Sequence, residues 1–246
     1  MAIAAPDIAD LWDFDQPDRT EKRFRAALGD AVGDARLELL TQIARTYSLR
    51  ARFDEAHRLL DEIEPQLAAA GSAPRVRYLL ERGRTFRSGG APDKARPLFV
   101  DAWELGRASG LDGLAIDAAH MVALVEVKTE DQLAWNERAL ELSRRATEPY
   151  ARNWQASLHN NIGWTLHDAG RFAEALAQFE LALKERERRG QVKETRVAKW
   201  AVARCLRSLG RRDEALAIQR VLKAEWAAEG KVDQYVLEEM KELGSE

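Results

Sequence analysis

The chain has 246 residues, of which 46% are hydrophobic and 32% charged, and its net charge at pH 7 is −3. This balance is typical of a folded water-soluble chain that can bury a core, and it gives the molecule no overall attraction for nucleic acid. A single cysteine excludes an internal disulfide, as expected in a reducing compartment. No apolar run approaches the roughly 18 residues of a membrane span, and the first ten residues lack a secretion-signal pattern. We therefore expect a cytoplasmic location.

Residues 1–33 are predicted to form an irregular segment and a capping helix. Two prolines and four aspartates favour irregular structure up to about residue 17, although Trp12 and Phe14 should pack over the end of the following element. Residues 18–21, DRTE, have the pattern of a capping box, so we expect a short amphipathic helix from there to about residue 31.

Residues 34–229 contain five similar helical pairs. The clearest, SLHNNIGWTLHDAGRFAEALAQFELALKERERRG at 157–190, has apolar residues at spacings of three and four on both sides of a turn at Gly170. Its small residues Gly163 and Ala175 stand where two helices could approach closely. Equivalent positions in successive pairs lie 39, 37, 43 and 40 residues apart, which predicts helices of 16 to 18 residues.

The other four pairs follow the same order of helix, turn and helix. The third is the least regular because no glycine separates its two helices. A last amphipathic helix within 230–246 is predicted to cap the far end. The residues that carry this pattern in the first, second, third and fifth pairs are Leu40, Ile43, Ala44, Tyr47, Phe53, Ala56, Leu60 and Ile63; Leu79, Gly83, Phe86, Ala95, Phe99 and Ala102; Ala119, Val122, Leu124, Leu133, Trp135, Ala139 and Leu140; and Ala203, Leu206, Gly210, Ala215 and Leu222.

The clearest pair resembles the tetratricopeptide repeat (TPR), a helical pair of 34 residues. Counted from Ala156, signature positions 8, 11, 15, 20, 24 and 27 hold Gly163, Leu166, Gly170, Ala175, Phe179 and Ala182. The run NNIG at 160–163 and the charged tail at 184–189 are most similar to the longer repeats of kinesin light chains. The resemblance implies an all-α solenoid, a right-handed superhelix of five TPR-like hairpins with a capping helix at each end, whose first helices line a concave surface.

The resemblance also assigns positions 5, 9 and 12 of each first helix to that surface. Of the fifteen residues, five are arginines, whose planar donors favour an acidic partner or a C-terminal carboxylate. Two tryptophans would add an apolar platform, and an asparagine could bind a peptide backbone. The predicted partner-binding residues are Arg45, Arg84, Arg87, Asn160, Trp164, His167, Trp200, Arg204 and Arg207; the other six positions are Thr41, Ser48, Leu80, Asp117, Met121 and Leu124.

Structural roles remain open for these residues. Trp164 and Trp200 could pack between repeats instead of facing a partner. An arginine such as Arg84 could pair with Glu81, three residues before it on the same helix. The lysine and asparagine positions that chaperone-binding TPR domains use for a carboxylate clamp are absent, so a chaperone tail is not expected as the ligand.

The sequence contains no C-x2-C, H-E-x-x-H, G-x-S-x-G or Walker motif, and we expect neither catalysis, nor a cofactor, nor a metal site. The favoured function is a protein–protein interaction scaffold or adaptor that binds an extended peptide or helix of a partner. One alternative is a ligand- or peptide-sensing regulatory domain, similar to the repeat domains of bacterial regulators. Another is an RNA-binding helical-repeat protein, against which the net charge argues. The alanine- and arginine-rich composition is compatible with a bacterial source.

Overall fold

The computed structural model describes residues 8–244, and every regular element in that range is a helix. This confirms the all-α class. The part of the predicted N-terminal segment before residue 8 lies outside the described residues. The chain divides into two compact units, Met1–Val127 and Lys128–Glu246. No helix within residues 8–244 has the length and apolar character needed to cross a bilayer.

The first unit is a stack of helices in which α2 packs on α3, α3 on α4 and α5, α5 on α6, and α6 on α7. The pairs α3–α4 and α5–α6 are the first two predicted pairs. The bounds are α1 Ile8–Leu11, α2 Pro17–Ala27, α3 Gly33–Leu49, α4 Phe53–Ile63, a 3₁₀ helix Glu64–Ala69, α5 Ser72–Ser88, α6 Pro92–Ala108 and α7 Asp112–Ala123.

The start of α2 differs from the prediction. The helix begins at Pro17, and no side chain bonds to its first free backbone N–H groups. Proline suits the first helical position because its φ is already helical and it has no N–H to satisfy. Asp18 therefore lies inside the first turn, where it accepts a hydrogen bond from Arg50, and the predicted capping box was wrong. Trp12 does pack on this end of the unit, edge-on to Phe24 at 5.2 Å between ring centroids.

In the second unit, α10 packs on α8 and α11, α12 on α11 and α13, and α14 on α13. The pairs α10–α11 and α12–α13 are the predicted fourth and fifth pairs, and α14 is the predicted last helix. The bounds are α8 Thr129–Arg145, α9 Pro149–Asn153, α10 Gln155–Asp168, α11 Phe172–Arg188, α12 Val192–Ser208, α13 Arg212–Ala228 and α14 Gln234–Glu242.

Helix length accounts for the long repeat spacing. Seven of the described helices have 17 residues, within the predicted range. The 43-residue spacing also contains α9, which the sequence analysis did not predict. The two helices of the third predicted pair belong to different units, since the division falls between Val127 and Lys128.

Small residues set the packing within each pair. A Cβ built on Gly163 would lie 2.6 Å from the ring of Phe179, and one on Gly83 would lie 2.4 Å from the ring of Phe99. These glycines therefore let the second helix place a phenylalanine against the backbone of the first. The turn after α10 needs a different property: Gly170 has φ +75°, a conformation that costs a residue with a side chain about 1–2 kcal/mol.

Candidate functional site

We call the first helix of each pair an A helix, here α3, α5, α7, α10 and α12, and its surface at positions 5, 9 and 12 the A-helix face. In the first unit this face carries a series of ion pairs. Arg45 donates to Glu81 at 3.2 Å, Arg84 donates to the same carboxylate at 2.7 Å, and Arg84 also donates to Asp117. Each arginine thus contacts a carboxylate on the next A helix.

This series is buried. The side chains of Arg84, Asp117 and Glu81 are 11%, 10% and 2% exposed. Burial alone would raise the pKa of Asp117, but the charge and hydrogen bonding of Arg84, together with the charge of Arg45, hold it below its ordinary value. Burial alone would lower the pKa of Arg84, and its two carboxylate partners raise it instead. Arg84 and Asp117 therefore remain charged at neutral pH and bind each other.

In the first unit, most residues of the predicted face are buried or half-buried. Thr41, Leu80 and Met121 are buried. The half-buried Arg45 also has its guanidinium 5.4 Å from the ring centroid of Trp12. Arg87 is exposed at the end of α5.

In the second unit the A-helix face carries an aromatic series. The rings of Trp164 on α10 and Trp200 on α12 lie 6.0 Å apart, and Trp200 lies 6.1 Å from Tyr235 on α14. Trp164 also meets Phe179 edge-on at 4.9 Å. Both tryptophans are half-buried, and Tyr235 is 67% exposed. The two tryptophans therefore pack between helices and still present part of each ring to solvent.

Two arginines of this unit hold one carboxylate. Arg204 and Arg207 on α12 both donate to Glu239 on α14, and the Arg207 Nε–Glu239 Oε2 distance is 2.7 Å. Glu239 is 3% exposed. Burial alone would raise its pKa, but the hydrogen bonds from Arg207 and Arg204 hold the pKa below its ordinary value. This arrangement repeats that of the first unit, because the carboxylate again comes from a later helix, α14, which follows the second helix of the pair.

The two remaining predicted residues of this face, Asn160 and His167, lie on α10 together with Trp164. His167 Nε2 lies 2.9 Å from Ser208 Oγ, and its ring meets Trp164 edge-on. Burial lowers the pKa of His167, so the ring is neutral at pH 7. Asn160 is half-buried, one helical turn before Trp164.

A pocket of about 750 Å³ opens where α14 meets this face. Its volume lies within the range of ligand-binding pockets, about 300–1,000 Å³. Three basic and three acidic side chains balance around it, and aromatic rings form its apolar wall. The lining residues are Trp164, Trp200, Arg204, Arg207, Tyr235, Glu238, Glu239, Lys241 and Glu242. We refer to it as the aromatic–arginine pocket.

The contacts of three residues on these faces were not predicted from the sequence. Glu239 and Tyr235 lie on the last helix, which was assigned only a capping role. Glu81 was named as a possible partner of Arg84, but its contact with Arg45 on another helix was not foreseen. A signal was present in the sequence, since Glu239 is an acid on the same helix face as Tyr235.

Cys205 and His159 have the surroundings of interior residues. Burial raises the pKa of the Cys205 thiol to about 11, and the thiolate that a nucleophile requires is therefore disfavoured. The buried His159 lies 2.7 Å from Gln178 through Nδ1, as expected for an interior histidine. Within residues 8–244, no three histidine, cysteine or acidic side chains are grouped as metal ligands would be.

The fold and these faces define an α-helical repeat protein. The family model for the tetratricopeptide repeat matches residues 156–189, the pair that resembled it in sequence. Residues 156–189 therefore match the TPR, and the fold of the chain is similar to that of kinesin-light-chain-type repeats. No curated protein sequence matches it.

Three solved structures with low sequence identity share this fold. BtubC (BKLC) from P. vanneervenii is 17% identical, with a TM-score of 0.71 over 93% of this chain and 94% of the other. The nearly identical TPR-like repeats of a kinesin light chain from P. anserina are 16% identical, with a TM-score of 0.62 over 79% and 96%. The quorum sensor NprR from B. thuringiensis is 13% identical, with a TM-score of 0.66 over 94% of this chain and 64% of that protein.

Proposed function

We propose that this protein is a non-catalytic interaction module that binds an extended peptide or a helix of a partner on the A-helix face of its second unit. The observation that carries the proposal is the series Trp164–Trp200–Tyr235, which borders the aromatic–arginine pocket and is partly open to solvent. Large aromatic side chains supply much of the binding energy at protein interfaces, because they bury a wide rigid surface at small entropic cost.

The arginines of the same pocket support an acidic or carboxylate-bearing segment as the partner. Arg204 and Arg207 already bind one carboxylate, that of Glu239, through three hydrogen bonds. A partner carboxylate would use the same donors in exchange for Glu239. Since Glu239 competes for the same donors and the charges around the pocket balance, the aromatic contacts supply most of the affinity for such a partner.

A sensing role is the second candidate, and the position of α14 favours it. The helix lies against the pocket, and its Glu239 occupies the arginine pair, so that exchange with a ligand carboxylate would change how α14 is held. The quorum sensor NprR has a similar fold over nearly all of this chain.

In the RNA-binding alternative the arginines would contact phosphates, but four of the five predicted arginines already bind carboxylates of the described residues.

A matched pair of tyrosine variants tests the site. Peptides selected from a random display library on the full chain are measured by fluorescence polarisation against Tyr235→Ala and Tyr150→Ala. Both tyrosines are exposed in the second unit, at 67% and 45%, but only Tyr235 lines the pocket. We expect Tyr235→Ala to weaken binding about tenfold or more and Tyr150→Ala to leave it unchanged. Equal affinities for both variants would place the binding surface elsewhere.

Glu239→Gln tests the exchange of carboxylates. The substitution keeps the side-chain shape and removes the charge that occupies Arg204 and Arg207. Peptides with a carboxylate should bind this variant more tightly than wild type, while the same peptides with amides in place of carboxylates should not. A loss of affinity for both peptide forms, with circular dichroism unchanged, would contradict an exchange at these arginines.

A further inference from the structure

A second, smaller pocket lies beside the aromatic–arginine pocket. It has a volume of about 220 Å³ and is formed by the first turns of α12, the end of α13 and the start of α14. Trp200 and Tyr235 line both pockets, so the two pockets lie side by side at these rings. The other residues around it are Arg196, Val197, Trp226, Asp233 and Val236. We refer to it as the apolar pocket.

The charged groups at the apolar pocket are already bound within the protein. Arg196 donates to Glu229 at 2.6 Å, and its guanidinium lies 4.5 Å from the ring centroid of Trp226. The Asp233 carboxylate accepts the N–H of Val236 at 3.1 Å and so caps α14. Most of the surface that lines the pocket is apolar, and Arg196 already occupies one face of Trp226. The lining is therefore complementary to an uncharged, apolar group.

The size of the pocket limits what that group can be. Its volume is below the roughly 300 Å³ at which pockets for whole drug-sized ligands begin. One large side chain fits this space and leaves the rest of the ligand outside, next to the aromatic–arginine pocket. The exposed Val197 and Tyr235, at 58% and 67%, form part of its open edge.

We infer that the apolar pocket receives one large apolar side chain, of the class of leucine, methionine or phenylalanine, from the segment that binds the neighbouring aromatic–arginine pocket. The inference rests on the proposed function for the identity of the ligand as a peptide. It adds a second position of recognition, which selects the partner by an uncharged anchor rather than by acidic groups. Trp200 lines both pockets, so one bound segment can contact the two recognition positions at the same time.

The first test uses single-residue probes and needs no partner. N-acetyl-phenylalaninamide and N-acetyl-leucinamide are titrated into ¹⁵N-labelled full chain, with N-acetyl-asparaginamide as the polar control. The indole N–H signals of Trp200 and Trp226 should shift with the two apolar probes and not with the polar one, while those of Trp103 and Trp135 stay in place. Equal responses to all three probes, or none at these two indoles, would overturn the inference.

A matched pair of valine variants carries the second test. Val197→Asp places a carboxylate at the apolar pocket, and Val221→Asp makes the same change at a 51%-exposed position outside it. Val197→Asp should weaken the apolar probes, and library-selected peptides, by about tenfold to a hundredfold, the value of one buried apolar side chain. Val221→Asp should not. If Val197→Asp unfolds by circular dichroism, Val197→Trp, which fills the pocket with a side chain, replaces it.

The outcomes separate this inference from the proposed function. Indole shifts that disappear in Val197→Asp would establish the apolar pocket even if the library yielded no peptide, a result that would instead contradict the interaction module. Selected peptides that bind Val197→Asp as tightly as wild type would keep the module and overturn the anchor. A concentration-dependent dimer, seen by sedimentation and abolished by Val197→Asp, would assign the pocket to a second copy of the chain and also overturn the inference.

Discussion

The contact between Gly163 and Phe179 gives a prediction whose size follows from the structure. An alanine Cβ at position 163 would lie 2.6, 2.7 and 3.0 Å from three atoms of the Phe179 ring. The ring cannot move away freely, because it also packs against Trp164 and Phe179 is only 1% exposed. We expect Gly163→Ala to destabilise the protein by about 1–3 kcal/mol, the usual cost of overpacking, and each kcal/mol lowers the melting temperature by about 2–4 °C.

A smaller partner side chain should relieve this cost. The first pair has alanine and leucine at the equivalent positions, Ala44 and Leu60, both fully buried. Phe179→Leu alone should destabilise by leaving a cavity, but Gly163→Ala with Phe179→Leu should be more stable than the sum of the two changes predicts. The expected coupling is about 1 kcal/mol or more, measured by urea denaturation of the four proteins in a double-mutant cycle.

Gly170 supplies the control for this cycle. Its φ is +75° and no atom lies within 4 Å of a built Cβ, so Gly170→Ala introduces backbone strain without contact with the Phe179 ring. Gly170→Ala and Phe179→Leu should therefore add independently, within about 0.5 kcal/mol. If the Gly163 cycle is additive to the same degree, the glycine is not required by the size of its partner, and the reasoning from close approach is refuted.

Two further predictions concern the first unit. Ala51 has φ +57° at the position where the second, fourth and fifth pairs have glycine. Ala51→Gly should therefore raise the free energy of unfolding by about 0.5–1 kcal/mol, and a lower melting temperature would contradict this. Burial lowers the pKa of His120 to about 4, whereas the unfolded chain takes up this proton near pH 6.5. The free energy of unfolding should therefore fall by about 2 kcal/mol between pH 7 and pH 5. Urea titrations at the two pH values should show a smaller fall for His120→Gln. An unchanged fall would show that His120 is not its source.

The fold was predictable because the repeats are specified by local patterns. The alternation of small and large residues around Gly163 and Ala175 determines which helices pack, and helices of 17 residues follow from the repeat spacing. Two local features were not predictable in this way. Helix α2 begins at Pro17, one residue before the predicted start. The short helix α9 lies between the third and fourth predicted pairs, where the sequence has no apolar periodicity.

The candidate site was less predictable, because it depends on contacts between residues far apart in the chain. The positions of Trp164 and Trp200 on successive A helices follow from the repeat numbering, but their 6.0 Å separation does not. The arginines were counted as a basic surface because two of their carboxylate partners, Glu81 and Glu239, lie outside positions 5, 9 and 12. Glu239 is 32 residues from Arg207, and only the packing of α14 against α12 and α13 brings them together.

The ion pairs also explain what α14 is. In the first unit the carboxylate that binds an arginine comes from the next A helix in chain order: Glu81 for Arg45, and Asp117 for Arg84. In the second unit Glu239 on α14 fills this position for the arginines of α12. Helix α14 therefore has the role of a further A helix that lacks a second helix within the described residues. Its apolar side, with Val236 and Met240 buried beside Leu222, covers α13 as an A helix would. A capping helix of this kind covers the core and leaves the remainder of its A-helix face, including Tyr235, open to a ligand, which is why the two pockets of the second unit lie on it.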